Sequence, residues 1–102
     1  MAYILPQMSL KEELTKTIDQ AEWAWLKSHL ERDALILVRA PLELSQVGVE
    51  IAENQVSKIQ TYLREGNLSK PTALQVESWN QMPDKKFQVV IVRPFVLIQE
   101  IV

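Results

Sequence analysis

The chain contains no cysteine, two glycines and one histidine among its 102 residues. The lack of cysteine excludes disulfides, thiol nucleophiles and cysteine-based zinc sites, and it fits a reducing compartment. A single histidine cannot supply a histidine pair for a metal, and His29 lies near the end of a predicted helix, where an imidazole favours the last carbonyls. We therefore expect no metal site and no cofactor.

A surplus of basic charge and a long apolar run are also lacking. Eleven Lys and Arg stand against 13 Asp and Glu, for a net charge of −2, which argues against nucleic acid as a partner. The most apolar stretch, residues 87–102, is broken by Arg93 and Glu100 and is shorter than the roughly 20 residues that a membrane helix needs. The apolar start of the chain lacks the basic flank of a secretory leader. We expect a cytoplasmic protein with no membrane partner.

The length of the chain predicts one domain with a thin core. Ser9 and Glu12 form a capping-box pattern at which a first helix is predicted to begin. We accordingly divide the chain into an N-terminal lead-in over residues 1–8 and a single α/β domain over residues 9–102.

The first helix is predicted to run from Ser9 to about Leu30. Its main apolar stripe follows the helical repeat and consists of Leu10, Leu14, Ile18, Ala21 and Trp25. A second stripe of Trp23, Leu26 and Leu30 lies to the other side, where a one-sided surface helix needs none. We expect this second stripe to be covered, either by this chain or by another copy.

The next segments alternate between strand and helix patterns. Residues 34–38 form an unbroken apolar run, which is typical of a strand buried on both faces. Helical periodicity over residues 44–65 fits one long helix or two short ones, with Asn54 as the candidate break and Gly66 as the stop.

The last third of the chain predicts a short helix and a strand. The short helix begins at the Thr72–Gln75 capping box, with Leu74 and Trp79 expected to point inward. Residues 87–92 are rich in β-branched side chains and predict a strand. Pro94 marks an end, a bend or an edge, and the residues after it are a further strand or an extended arm.

The resulting order is α-β-α-α-β, with an optional last β, and it predicts a short, mostly parallel sheet packed by helices. Two strands offer less surface than the helix stripes need, so we expect a second subunit to complete or cover the sheet. The candidate interface residues are Trp23, Leu26, Leu30, Phe95 and Leu97.

Two of the predicted strands end in an Arg that is closely followed by a Pro. If these strands are parallel neighbours, Arg39 and Arg93 emerge at the same carboxyl edge, where open α/β sheets bind ligands. Two guanidinium groups there are suited to a phosphate, a carboxylate or a nucleotide. The alternative is that each Arg only pairs with a nearby acid such as Glu43 or Glu100. No glycine-rich phosphate loop follows either strand.

No catalytic set is recognisable in the sequence. Paired acids such as Glu50 and Glu53 fall on a predicted polar face, which is typical of a solvated surface rather than of acid–base chemistry. The serines lack the glycines of a nucleophile elbow. We name no catalytic residue.

Five segments together are distinctive: residues 9–14 (SLKEEL), 22–23 (EW), 44–48 (LSQVG), the helix end 63–66 and residues 93–100 (RPFVLIQE). In these segments the chain resembles the domain of unknown function 2288 family, a group of small uncharacterised bacterial proteins. The resemblance spans residues 9–100, and PFVLIQE is its most specific piece. Arg93 departs from the small or uncharged residue expected before that proline, which weakens an Arg site shared with relatives. The resemblance implies no reaction, cofactor or catalytic residue.

The sequence therefore favours a non-enzymatic homodimer that acts through protein–protein association and presents a surface to another protein. The surplus Trp23, Leu26 and Leu30 stripe is the main reason. The alternative hypothesis is a binder of a small anionic ligand near Arg39 and Arg93.

Overall fold

The computed structural model describes residues 9–101, so the predicted lead-in over residues 1–8 lies outside the described residues. Within that range five helices form: α1 (Leu10–Thr17), α2 (Trp23–Glu31), α3 (Leu44–Ala52), α4 (Val56–Glu65) and α5 (Ala73–Asn80). Five strands form as well: β1 (Asp19–Glu22), β2 (Leu35–Val38), β3 (Leu68–Ser69), β4 (Lys86–Val92) and β5 (Phe95–Glu100). The strands make one sheet in the order β1-β4-β5-β2-β3.

The sheet is mixed, and the expectation of a mostly parallel sheet is wrong. Only β2 and β5 pair in parallel, with Leu35 opposite Val96, whereas the other three pairs among the described strands are antiparallel. The reason is that β4 and β5 form a hairpin across the two-residue turn of Arg93 and Pro94, which reverses the chain at once. The segment after Pro94 is therefore a strand, and it lies at the centre of the sheet.

The long first helix is also wrong, because the chain leaves the helix at Ile18 and forms β1 before α2 begins. The capping box at Ser9 and Glu12 is confirmed. Downstream, Thr15 and Thr17 turn their hydroxyls onto helix carbonyls, and β-branched side chains lower helix propensity. Pairing with β4 then supplies the backbone hydrogen bonds that the helix would have made.

The helical region over residues 44–65 is two helices. Asn54 separates them and adopts a left-handed conformation, with φ of 56°, which Asn tolerates better than most residues. Gly66 ends α4, also left-handed with φ of 76°, as predicted for a helix stop. The strand predicted at residues 34–38 is confirmed as β2 and is covered on both faces.

One face of the sheet, the aromatic face, is covered by α2 and α5. Trp23, Trp79 and Phe87 pack edge to face, with ring centroids 4.9 Å apart for Trp23–Trp79 and for Trp79–Phe87. The Trp23 indole Nε1 donates a hydrogen bond of 2.9 Å to Asn80 Oδ1, so the buried ring keeps a polar partner. The predicted inward position of Trp79 is confirmed, whereas Leu74 points to solvent and its expected burial is wrong.

The opposite face, the aliphatic face, is covered by α1, α3 and α4. Val47, Val90 and Leu97 are buried at its centre. Gly48 lets α3 approach closely, since a Cβ there would lie 3.0 Å from Leu14 Cδ1 and 3.3 Å from Val92 Cγ2. On the same face, the buried Gln99 side chain donates to the carbonyl of Leu42 at 2.7 Å, which satisfies its amide.

The second stripe of the first helical region is covered by this chain, which corrects the interface assignment. Trp23 and Leu26 are buried against α5 and the sheet, and Leu97 is buried on the aliphatic face. Leu30 and Phe95 are half-buried and pack against the two cores. The break after α1 explains the error. Because α2 is a separate helix, its buried side carries Trp23 and Leu26, and Trp25 faces outward.

Candidate functional site

Two clefts open on the aromatic face, at opposite ends of the sheet. The first, which we call the Arg39 cleft, has a volume of about 470 Å³ and lies where β2 and β5 reach their carboxyl ends. Its lining combines a small apolar floor with polar groups, namely Leu37, Arg39, Gly66, Ser69, Gln75 and Glu100. The carboxyl edge of parallel strands is a frequent position for ligand sites.

The charges of the Arg39 cleft have few partners within the protein. The Glu100 carboxylate lies 3.9 Å from Lys85 Nζ, at the outer limit of an ion pair, and remains 47% exposed. Arg39 forms no ion pair with any residue in the range 9–101. Of the two acids suggested as partners for the arginines, Glu43 pairs with Lys11 at 2.7 Å, whereas Glu100 has only the long contact with Lys85. Only the Arg39 backbone is fixed, through its N–H to the carbonyl of Asn67.

The second opening, the Trp25 cleft, has a volume of about 630 Å³ at the other end of the same face. Trp25 and Ile91 border it and are 75% and 59% exposed. The buried Val89 and Val96 are among its lining residues, and so are the charged Asp19 and Arg93 and the lone His29. Exposed apolar side chains around a concave surface are typical of a protein interaction site.

The structure separates the two arginines that the sequence suggested as a pair. β4 runs antiparallel to β5, whereas β2 runs parallel to it. Arg93 therefore follows β4 at one end of the sheet while Arg39 follows β2 at the other, and they line different clefts. The condition for a joint anion site, that the two strands be parallel neighbours, is not met.

A buried carboxylate on the aliphatic side joins α3 to α4. Glu50 Oε1 accepts 2.7 Å from the Tyr62 hydroxyl, and Oε2 accepts 3.1 Å from Gln46 Nε2 and lies 3.3 Å from Lys58 Nζ. Burial by itself would raise the pKa of Glu50, but these hydrogen bonds and the Lys58 charge outweigh it and lower the pKa below its ordinary value. The hydrogen bond to Glu50 and burial raise the pKa of Tyr62.

This set of four contacting residues, which we call the Glu50 bracket and which consists of Gln46, Glu50, Lys58 and Tyr62, suits a structural role. A carboxylate with a lowered pKa is a weak base at neutral pH, and both of its oxygens already have partners. A shallow hollow of about 330 Å³ lies beside it, lined by Ser57 and Thr61 as well as by three members of the bracket. The expectation that Glu50 faces solvent is wrong, since its side chain is 3% exposed.

A family model described as "Protein of unknown function (DUF2288)" matches residues 9–100. The chain belongs to this family. The solution NMR structure of PA1075 from Pseudomonas aeruginosa is similar to this DUF2288 chain, with 29% sequence identity and a TM-score of 0.78 over 100% of this chain and 94% of that one. No curated protein matches the chain. The family resemblance inferred from the sequence is thereby confirmed over its whole span.

Among residues 9–101 no group of three His, Asp or Glu side chains is placed to hold a metal ion. His29 Nδ1 instead contacts the Arg32 guanidinium on the next turn. In the same part of the chain, no helix has the length and apolar character to cross a bilayer.

The sequence named Arg39 in the first cleft of the DUF2288 protein and Leu26 and Arg93 in the second, but it missed most of the other lining residues. Arg39 and Arg93 were candidates for ligand binding, and Glu100 appeared only as a possible partner for one of these arginines. Trp25 was assigned to the main apolar stripe of the first helix and Ile91 to a predicted strand, and both side chains are exposed. The available signal for Trp25 was the Thr-Lys-Thr-Ile-Asp run before it, which is a poor helix interior and marks the break that turns Trp25 outward.

Proposed function

We propose that this DUF2288 protein acts by protein–protein association, as a homodimer formed through the Trp25 cleft. The observation that carries the proposal is the exposure of Trp25 and Ile91 beside a cleft of about 630 Å³. Removing a large apolar side chain from water contributes about 1.5–3 kcal/mol. Aromatic side chains at the centre of an interface commonly dominate its binding energy.

A second copy is the occupant that the cleft fits best. The exposed Trp25 ring lies directly beside the cleft. In a dimer with a two-fold axis, the Trp25 ring of each subunit enters the cleft of the other. The charges at its rim are also of both signs. Asp19 and Arg93 form no ion pair with other residues of the range 9–101, so the same axis allows Asp19 to meet the partner's Arg93.

Packing of side chains in the Trp25 cleft accounts for a dimer better than pairing between the edge strands of two sheets does. β1 is an edge strand, and edge strands with unpaired donors invite strand addition. Here Asp19 Oδ1 accepts the backbone N–H of Gln20 at 2.8 Å, which occupies a donor on this short edge. The proposal therefore replaces completion of the sheet by a second subunit with association across its aromatic face.

The test is sedimentation velocity over a dilution series. We expect a dimer with a dissociation constant in the micromolar range, and we expect Trp25→Ala to weaken it about 30-fold, as for an interface hot spot of about 2 kcal/mol. Leu74→Ala is the matched control, because Leu74 is 79% exposed on α5 and lies outside the cleft. This control should leave the dimer unchanged.

A charge exchange tests the orientation of the two subunits. Arg93→Asp should weaken the dimer through repulsion between like charges, and the double variant Asp19→Arg with Arg93→Asp should restore it. A wild-type chain that stays monomeric at all concentrations, or a Trp25→Ala variant that dimerises as well as wild type, contradicts the proposal.

A non-enzymatic role is supported by the lowered pKa and full hydrogen bonding of Glu50, the one buried carboxylate of the described residues. A location in the cytoplasm of a bacterium is supported by the lack of cysteine and by the similarity to the Pseudomonas aeruginosa protein. For the alternative function, binding of a small anionic ligand, we retain only Arg39 as a candidate binding residue, because it lines a cleft.

A further inference from the structure

The Arg39 cleft collects polar groups whose hydrogen-bonding capacity the protein leaves unused. Among the described residues, the Arg39 guanidinium and the Ser69 hydroxyl have no side-chain hydrogen bond. Both line the same cavity as Gln75 and Glu100. Ligand sites generally combine an apolar concave surface with a few convergent polar groups of this kind.

The capping box of α5 fixes the orientation of Gln75. Its Oε1 accepts the backbone N–H of Thr72 at 2.9 Å, and its own N–H donates to Thr72 Oγ1 at 3.1 Å. Because a backbone N–H requires an acceptor, the amide oxygen must face Thr72, and the Nε2 group remains as a donor. Gln75 therefore offers a donor to the cleft at little cost in side-chain entropy.

The two charges of the cleft have opposite signs and come from neighbouring strands. The register of β2 and β5 places Leu37 beside Ile98, so Arg39 and Glu100 each lie two residues further along on the same face. The lining also includes the small or apolar residues Leu37, Ala40 and Gly66. A ligand suited to this arrangement carries a carboxylate, an ammonium group and a small apolar part.

We infer that the Arg39 cleft binds a free aliphatic α-amino acid. The Arg39 guanidinium and Gln75 Nε2 bind its carboxylate, Glu100 binds its ammonium group, and Leu37 contacts its side chain. A volume of about 470 Å³ accommodates a molecule of this size. The inference is independent of the proposed dimer, since the Trp25 cleft lies at the other end of the sheet.

Three probes of the same shape separate the two charges: L-leucine, isocaproate, which lacks the amino group, and isoamylamine, which lacks the carboxylate. In an NMR titration of the full chain, we expect leucine to shift the backbone amides of residues 37–40 and 98–100. Isocaproate should bind at least about tenfold more weakly, as expected on losing one charge-assisted hydrogen-bonded group, and isoamylamine should bind more weakly still.

The variants assign the charges to residues. Arg39→Gln should weaken leucine binding at least about tenfold, and Glu100→Gln should weaken leucine binding while leaving isocaproate unaffected. Arg32→Gln is the matched control, because Arg32 is exposed and lines neither cleft, and it should not change leucine binding. Both cleft residues are exposed, so their variants should fold normally, and their sedimentation should match that of wild type.

Three results would overturn the inference. One is a titration in which leucine shifts no amide of the cleft. Another is equal binding of isocaproate and leucine, which would make the site an anion site only. The third is a loss of binding in Arg32→Gln as large as that in Arg39→Gln.

Discussion

On the aromatic face two helices cover the sheet with large rings, whereas on the aliphatic face three helices cover it with aliphatic side chains and a buried carboxylate. The rings of Trp23, Trp79 and Phe87 fill the first interface. The Trp23 indole donates to the neutral Asn80 amide, and Lys85 Nζ lies 5.5 Å from the centroid of the Phe87 ring. The second interface depends in part on the ionised Glu50, which joins α3 to α4. The aromatic face is therefore stabilised without a buried carboxylate, whereas the stability of the aliphatic face depends on the protonation of Glu50.

The largest expected effect is on the aromatic face. Trp23→Ala should lower the free energy of unfolding by about 3–5 kcal/mol, because it leaves a cavity beside two other rings. Chemical denaturation followed by circular dichroism measures the loss. Trp25→Ala, made on the same helix but at an exposed position, should change the stability by no more than about 0.5 kcal/mol at concentrations where the protein is monomeric. Equal losses in the two variants would show that the ring cluster does not hold this face.

The next effect in size tests the aliphatic face. Glu50→Gln should cost about 1–3 kcal/mol at neutral pH, since the neutral amide loses the charge-assisted bonds to Tyr62 and Lys58. The folded-state pKa of Glu50 is lowered from the model-compound value of 4.5, so its stabilisation is complete above that value and is lost as the pH falls through the lower folded-state pKa. The difference between wild type and variant should therefore shrink in acid.

Two control variants accompany the Glu50 prediction. Glu53→Gln, one helical turn away and exposed, should have little effect on stability at any pH. Trp23→Ala should keep a constant loss across the same pH range, because its mechanism involves no titrating group. A difference between wild type and Glu50→Gln that grows in acid would mean that the pKa of Glu50 is raised rather than lowered.

The smallest expected effect concerns the backbone at the end of α4. Gly66→Ala should cost about 1 kcal/mol, because φ is +76° and no atom lies within 4 Å of an added Cβ, which leaves the left-handed conformation as the only source of strain. Gly66→Asn should cost less, since Asn tolerates this conformation. Thermal unfolding of both variants measures the order, and a loss larger for Asn than for Ala would contradict it.

The parts of the fold that the sequence predicted correctly depend on local interactions. The capping boxes at Ser9 and Thr72 and the stop at Gly66 involve residues within one turn of each other, so their side chains and backbone conformations specify the helix ends directly. The apolar run of β2 is likewise a local pattern. Each of these was predicted without knowledge of any distant contact.

The parts that were missed depend on distant residues. β1 forms because β4, more than 60 residues later, pairs with it, and the apolar spacing around it also fits a helix. Glu50 is buried because Tyr62, on the next helix, supplies its hydroxyl. The separation of Arg39 from Arg93 follows from the hairpin turn at Pro94, which no periodicity reveals. For the same reason, the two clefts could not be assembled from the sequence.

The position of β5 has a consequence for how this protein is made. It is the last of the five described strands along the chain, yet it lies at the centre of the sheet between β4 and β2. During translation, β2 and the helices that pack on it leave the ribosome well before β5, the strand that pairs with β2. Until β5 is synthesised, their apolar surfaces remain exposed to solvent. Such intermediates are prone to aggregate. A nascent chain interrupted before Phe95 would leave both neighbours of β5 as open edges, which makes it a substrate for chaperones and proteases rather than a partly folded domain.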